Sequence, residues 1–244
     1  MHRILADLNS MKSDSPLLSR EAKDHLKVIR PKAGERIELF DGEGSSRVFS
    51  YSNDGLVPLE PIKAHPKPPE LTLFACVTKG QRWDWTIQKA TELGVTRIIP
   101  VISKRTIVRI AEDESASKVS RWQKIASEAA RQSATKWIPE IANPVTFEKS
   151  LDLVRSTECF VGALLQSPPQ PIMKALARRK GVRPPAVFVG PEGDFTPEEI
   201  ESLISSATPV SLGSSILRAE TAAIYALIVI KAYLDAESFD CTDD

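Results

Sequence analysis

The stretch Ala186-Val187-Phe188-Val189-Gly190-Pro191-Glu192-Gly193-Asp194-Phe195-Thr196-Pro197-Glu198-Glu199 decides the fold. Four apolar residues run into a glycine loop, as a short buried strand does when it ends beside a ligand or a turn. Two residues after the loop, Thr196-Pro197-Glu198-Glu199 reads as a capping box with proline at the first helical position, which fixes a helix start. A strand, a glycine-rich bend and a helix in 14 residues make one step of an α/β repeat. The arrangement recurs one helix later, where Thr208 to Leu212 leads through Gly213-Ser214-Ser215-Ile216-Leu217-Arg218-Ala219-Glu220-Thr221 into the apolar run Ala222 to Leu234. Two such loops are placed to clamp one small molecule, because glycine lets backbone come close to a ligand. The alternative is that the glycines mark tight turns and the leucines fill core.

Working outward, Leu71 to Val77, Ile98 to Ile102, Phe160 to Leu165, Ala186 to Val189 and Val210 to Leu212 read as buried strands. Trp83 to Leu93, Ser117 to Ser133, Pro171 to Arg179 and Thr196 to Ala207 read as the helices between them. Strict alternation predicts an α/β domain on a mostly parallel sheet. Upstream, the proline-rich segment from Pro58 to Pro69 cannot continue a helix or an interior strand, which puts a domain boundary there: 1–69 and 70–244. Before it, Arg36 to Phe40 and Arg47 to Tyr51 alternate around the hairpin-like Asp41-Gly42-Glu43-Gly44, so the first domain is expected to be β-rich.

The chain has 244 residues, enough for a sizeable core, and 26% of them are charged. Ala222 to Ile230 is the longest apolar run, too short to span a bilayer, and the N-terminus lacks an apolar stretch of the kind that targets secretion. Cys76, Cys159 and Cys241 are scattered and out of metal-ligand spacing, which fits a reduced cytoplasm and no metal site. Neither G-x-G-x-x-G after the first strand of the second domain nor a P-loop pattern is present, so the usual dinucleotide and nucleotide readings lack their glycines. Lys and Arg balance Asp and Glu at 32 each, yet residues 78–136 carry 12 basic against 6 acidic and residues 190–244 carry 2 against 11. Local basic surface, not the whole-chain sum, is what meets phosphates. Solvated helix faces explain the same excess equally well.

Six blocks in register carry a resemblance: Lys79-Gly80, Ile87-Gln88-Lys89-Ala90-Thr91-Glu92-Leu93-Gly94-Val95, Trp122-Gln123-Lys124-Ile125-Ala126, Pro139-Glu140-Ile141 and the two glycine loops. With the weaker echo His25 to Arg30 and Arg36 to Gly42, the sequence resembles the RsmE family of SPOUT-class methyltransferases, which methylate N3 of a uridine in the decoding region of bacterial 16S rRNA. The resemblance implies an α/β SPOUT domain with a deep trefoil knot behind a small PUA-like, β-rich RNA-binding domain. It implies S-adenosyl-L-methionine (SAM) as cofactor, held by Leu165, Gly190, Pro191, Glu192, Gly193, Leu212, Gly213, Ile216, Leu217 and Thr221. Arg218 is implied to stabilise charge on the target base and Glu220 to orient it. Arg30, Lys32, Lys79, Arg82 and Arg131 are the implied RNA contacts, and small-subunit rRNA and a second copy of the chain the implied partners. Trp83 and Trp85 fit base stacking or core equally. The sequence departs from the family at Asp194, Ser215 and Thr135, where glycine, arginine and arginine are usual, and Arg131 is the candidate replacement four residues before Thr135 on the same helix face. Rival expectations are a SPOUT enzyme for tRNA or ribose 2′-hydroxyls, or a non-catalytic RNA-binding factor of ribosome assembly.

Overall fold

A computed structural model describes residues 1–162, 165 and 167–240, the last three by backbone alone. Cys241 and part of the expected strand Phe160 to Leu165 lie outside the described residues. The chain divides into two compact units, Met1–Pro68 with Ser127–Ile138, and Pro69–Ala126 with Pro139–Asp244. Ser127–Ile138, placed by the proline boundary in the second domain, therefore belongs with the first.

The first unit runs β1 (His2–Leu5), α1 (Leu8–Lys12), α2 (Arg20–Ile29), β2 (Arg36–Phe40), β3 (Ser45–Ser52), β4 (Gly55–Pro58) and β5 (Lys63–Ala64). Its sheet is ordered β1-β2-β3-β4 with β5 also on β3; β1 and β2 are parallel and the other pairs antiparallel. Ile4, Met11, Ile37, Leu39 and Phe49 form its core. Residues 127–138 are fastened to this unit through backbone. Gly44 N donates to Lys136 O (3.0 Å) and Ile138 N to Gly42 O (2.8 Å). Both glycines have positive φ, and a side chain on Gly44 would run into the Trp137 ring. Buried Glu38 accepts from Arg3 Nε at 3.1 Å and Lys136 Nζ at 2.5 Å, so its desolvated charge has two cationic partners.

The chain continues with β6 (Thr72–Cys76), α3 (Gln81–Glu92), β7 (Arg97–Ile102), α4 (Glu112–Ser133, assigned from Ser127 on to the first unit), β8 (Glu140–Ile141), β9 (Val145–Thr146), α5 (Phe147–Val154), β10 (Glu158–Gly162), α6 (Ile172–Leu176), β11 (Pro185–Val189), α7 (Pro197–Ile204), β12 (Thr208–Val210) and α8 (Ala219–Asp240), the rest of them in the second unit. The strands of the second unit order as β12-β10-β11-β6-β7-β8, with β9 also on β7, and all pairs are parallel. Alternate residues, among them Phe74, Ile99, Val161 and Phe188, face Phe147 and Val154 of α5 and Leu203 of α7. On the other face α8 packs against β11, α3 and α6. After β9 the chain crosses to the far side of β6 to lay down β10, so the order reverses within the sheet. In parallel sheets such a reversal opens a crevice at the carboxyl ends of the strands.

Trp83 lies in the core, edge-on to Trp122 with ring centroids 5.6 Å apart, whereas Trp85 is exposed. The stacking role considered for Trp83 is therefore closed to it. Helix α4 ends at Ser133 because Ala134 takes φ 65°. Thr135 is thus off the helix, and Arg131 does not share a helix face with it as the sequence had suggested.

Candidate active site

The carboxyl ends of β10, β11 and β12 open into one cavity of about 450 Å³. This is within the roughly 300–1,000 Å³ usual for small-molecule sites. Gly162, Leu165, Pro168 and Pro169 line one side, Val189, Gly190, Pro191, Glu192 and Asp194 another, and the segment from Val210 to Ala219 much of the rest. The two glycine loops singled out in the sequence thus meet around a single space.

Each loop is held by bonds that the sequence does not announce. In the first, Asp194 adopts φ 58°, the left-handed conformation suited to a glycine or an Asx residue. Its Oδ1 accepts from Phe195 N at 2.8 Å, and its own N donates to Pro191 O at 2.9 Å, closing a turn. The capping box is present: Thr196 Oγ1 accepts from Glu199 N, and Glu199 Oε2 accepts from Thr196 N at 2.9 Å. The second oxygen of buried Glu199 accepts from Lys104 N at 2.9 Å. Beside it, Arg105 Nη1 donates to the carbonyls of Gly193 (2.9 Å) and Phe195 (3.1 Å). Arg82 at the start of α3 pairs with Glu192 at 3.0 Å. Arg105 is thus a latch on the loop.

In the second loop, Ser211 N donates to Gln170 O (2.9 Å) and Ile172 N to Ser211 O (3.1 Å), joining it to the segment before α6. Gly213 takes φ +124°, unfavourable for any other residue. Leu212 lies over Gly162, where a Cβ would come within 2.9 Å of Leu212 Cδ1. Arg218 O accepts from Ala222 N at 2.8 Å, starting α8.

Of the cofactor residues implied by resemblance, Leu165, Gly190, Pro191, Glu192, Leu212, Gly213, Ile216 and Leu217 line the cavity. Gly193 and Thr221 are not among its described lining residues. A Cβ at Gly193 would meet Arg105 at 3.7 Å, so this glycine faces the latch, not the ligand space. Arg218 lines the cavity, is exposed, and its side chain has no bond to any described residue. Glu220 is set back in the first turn of α8, with Oε2 enclosed. Arg30, Lys32 and Lys79 are exposed. Arg131 is engaged, with Nε on Glu128 at 3.0 Å and Nη1 against His25 Nε2 at 2.6 Å. Burial pushes the Cys76 thiol up to about 12 and raises that of Cys159 further, so neither supplies a thiolate near neutral pH.

The family model for the RNA methyltransferase domain matches residues 65–231. The ribosomal RNA small subunit methyltransferase E of Synechocystis is 32% identical over 216 residues, covering 86% of this chain and 70% of its own. The chain belongs to the RsmE family of RNA methyltransferases. A second relative of the same name, from Rickettsia conorii, is 30% identical over 84% of this chain and 83% of its own. Among solved structures, the Neisseria gonorrhoeae ribosomal RNA small subunit methyltransferase E bound to SAM is 28% identical, with a TM-score of 0.78 over 95% of this chain and 97% of that one. The family match takes in both glycine loops and the cavity between them. Asp194 holds the left-handed backbone of the first loop, and Arg218 is the arginine among the cavity's described lining residues.

Proposed function

We propose that this chain uses SAM to methylate N3 of a uridine in the decoding region of 16S rRNA. The observation that carries the reading is the convergence of Val189–Glu192 and Ser211–Leu217 on one cavity, with the guanidinium of Arg218, bonded to no described residue, at its edge. Family membership and the SAM held by the Neisseria relative support it. The cavity fits the cofactor in size and character: apolar Leu165, Leu212, Ile216 and Leu217 suit an adenine and its ribose, and the loop backbone offers hydrogen bonds. Glu192, paired with Arg82, and Asp194, bonded to Phe195 N, put carboxylates on the cavity wall. Bound SAM supplies a methyl group already activated by its sulfonium.

The chain must manage the base. Uracil N3 is mostly protonated at neutral pH, so transfer needs that proton removed and the resulting imide anion stabilised. Arg218 is assigned to the second task, since a fixed guanidinium lowers the energy of charge that develops in the transition state. Glu220, two residues on, is assigned to orienting that site or receiving the proton. Lys79 and Arg82 before and within α3, with Arg30 and Lys32 in the first unit, are the assigned RNA contacts. The loops are read as the trefoil knot of SPOUT enzymes, the first unit as a PUA-like RNA-binding domain, and the enzyme as a cytoplasmic homodimer using the exposed Tyr225 and Ile228 of α8. Mass spectrometry of rRNA nucleosides from cells lacking the gene tests the reaction. 3-Methyluridine should be missing and should return when the purified protein and SAM are added to the ribosomal subunits; its presence in the deletion strain, or its failure to return, overturns the assignment.

A further inference from the structure

A second, much smaller chamber lies behind the cavity, between β6, α3 and the start of α8. It has a volume of about 10 Å³ and shares Val189, Gly190 and Ala219 with the main cavity. Thr78 and Trp83, five residues apart, and the distant Glu220 line it, and each carries an enclosed polar atom with no bonding partner among the described residues: Thr78 Oγ1, Trp83 Nε1 and Glu220 Oε2. Trp83 and Thr78 are 2% and 4% exposed. Orphaned buried polar atoms are costly, and three in one chamber are not an accident of packing. Their chemistry is complementary. An indole N–H only donates, an ionised carboxylate only accepts, and a hydroxyl does both. A water needs roughly 10–15 Å³ and two to four polar partners. The chamber meets the lower bound in size and supplies three partners.

We propose that one ordered water occupies this chamber, accepting from Trp83 Nε1, donating to Glu220 Oε2 and sharing a hydrogen with Thr78 Oγ1. Through it, Trp83 and Thr78 are positioning residues for Glu220: they hold one carboxylate oxygen inward. The water site is independent of the reaction; the positioning role rests on the methyl-transfer reading above.

The test has two parts that fail separately. A high-resolution crystal structure of the wild-type protein should show one solvent peak within roughly 2.7–3.2 Å of all three atoms. A dry chamber, or a direct Trp83–Glu220 bond, overturns the proposal whatever the substrate is. Trp83→Phe then removes the donor while keeping the ring, and Thr78→Val serves if that variant does not fold. SAM affinity should stay within a few-fold by calorimetry. Single-turnover methylation should fall by roughly tenfold, the scale of one lost hydrogen bond to a charged group. In a Glu220→Gln background the same change should have little further effect. Unchanged single-turnover methylation, or equal losses in both backgrounds, overturns the positioning role. If no methylation of uridine is found, the crystallographic result still decides the water.

Discussion

Gly190 and Gly193 sit three residues apart in one loop, and the structure gives them opposite tolerances. A Cβ at Gly190 would lie 2.9, 3.1 and 3.3 Å from three ring carbons of Phe195, where roughly 3.5–4.0 Å is the optimum. Phe195 has little room to retreat: it is buried, with the rings of Phe188 and Phe147 at 5.4 and 5.7 Å. Overpacking a site of this kind costs about 1–3 kcal/mol. Neither glycine has positive φ, so Ala at either position also gains ~0.4–1 kcal/mol by restricting the unfolded chain. At Gly193 that gain is unopposed, because its Cβ would meet only Arg105 at an ordinary 3.7 Å. Gly190→Ala should therefore be less stable than Gly193→Ala by about 1–3 kcal/mol, or roughly 2–12 °C in Tm for a chain of this size. Gly190 also lines the cavity, so each ~1.4 kcal/mol of strain released into the loop should weaken SAM about tenfold. Parallel thermal unfolding and calorimetry on the two variants measure both differences. Equal stability and equal SAM affinity would refute the placement of Phe195 and, with it, the argument that Gly193 faces away from the ligand.

Arg218→Ala should lower single-turnover methylation by about 10²-fold or more while SAM affinity stays within a few-fold, because the guanidinium acts on the base and not on the cofactor; parallel loss of binding would make it a cofactor-loop element. Lys79→Ala should reduce the salt slope of RNA affinity by roughly one, as one lost phosphate contact does, with no change in unfolding. Arg131→Ala should instead lower the unfolding temperature, since its partners are Glu128 and His25; a reduced salt slope without destabilisation would return Arg131 to the RNA surface. Burial, and after it the Arg131 charge, hold His25 below its ordinary 6.5. The unfolded chain therefore binds that proton first, so stability is full above about pH 6.5 and falls as pH drops toward the depressed folded value. His25→Gln should flatten this fall in unfolding curves below about pH 6.5, and an unchanged slope would assign it to other groups.

Features written in contiguous residues were legible in the sequence. The strand Ala186 to Val189, the capping box at Thr196 and the apolar α8 all appear, because apolar runs and caps act over a few residues. The second domain's alternation became an all-parallel sheet. Helix α5 was not expected: it has only eight residues, and its N-cap, Thr146, follows the two-residue strand β9 directly. β12 was read from Val210 onward, yet it begins at Thr208 with Pro209 inside it, which is tolerated because β12 is an edge strand pairing only with β10. Site residues that act by backbone proximity were visible as glycines, but which glycine faces the ligand depends on Phe195 and Arg105. The Arg105 latch and the Thr78, Trp83 and Glu220 cluster join residues about 90 to 140 positions apart, and no local pattern marks them.

The first unit needs residues 127–138, which emerge during synthesis only after β6, α3, β7 and most of α4. Until Lys136 is made, Glu38 has Arg3 as its sole cationic partner, and the hairpin glycines 42 and 44 lack their backbone acceptor and donor from Lys136 and Ile138. A nascent chain therefore cannot complete its first unit before much of the second has been translated, and the usual N-to-C order of domain maturation does not apply. Fragments cut at the proline stretch would inherit the same defect permanently: residues 1–69 alone leave out the piece that closes that unit.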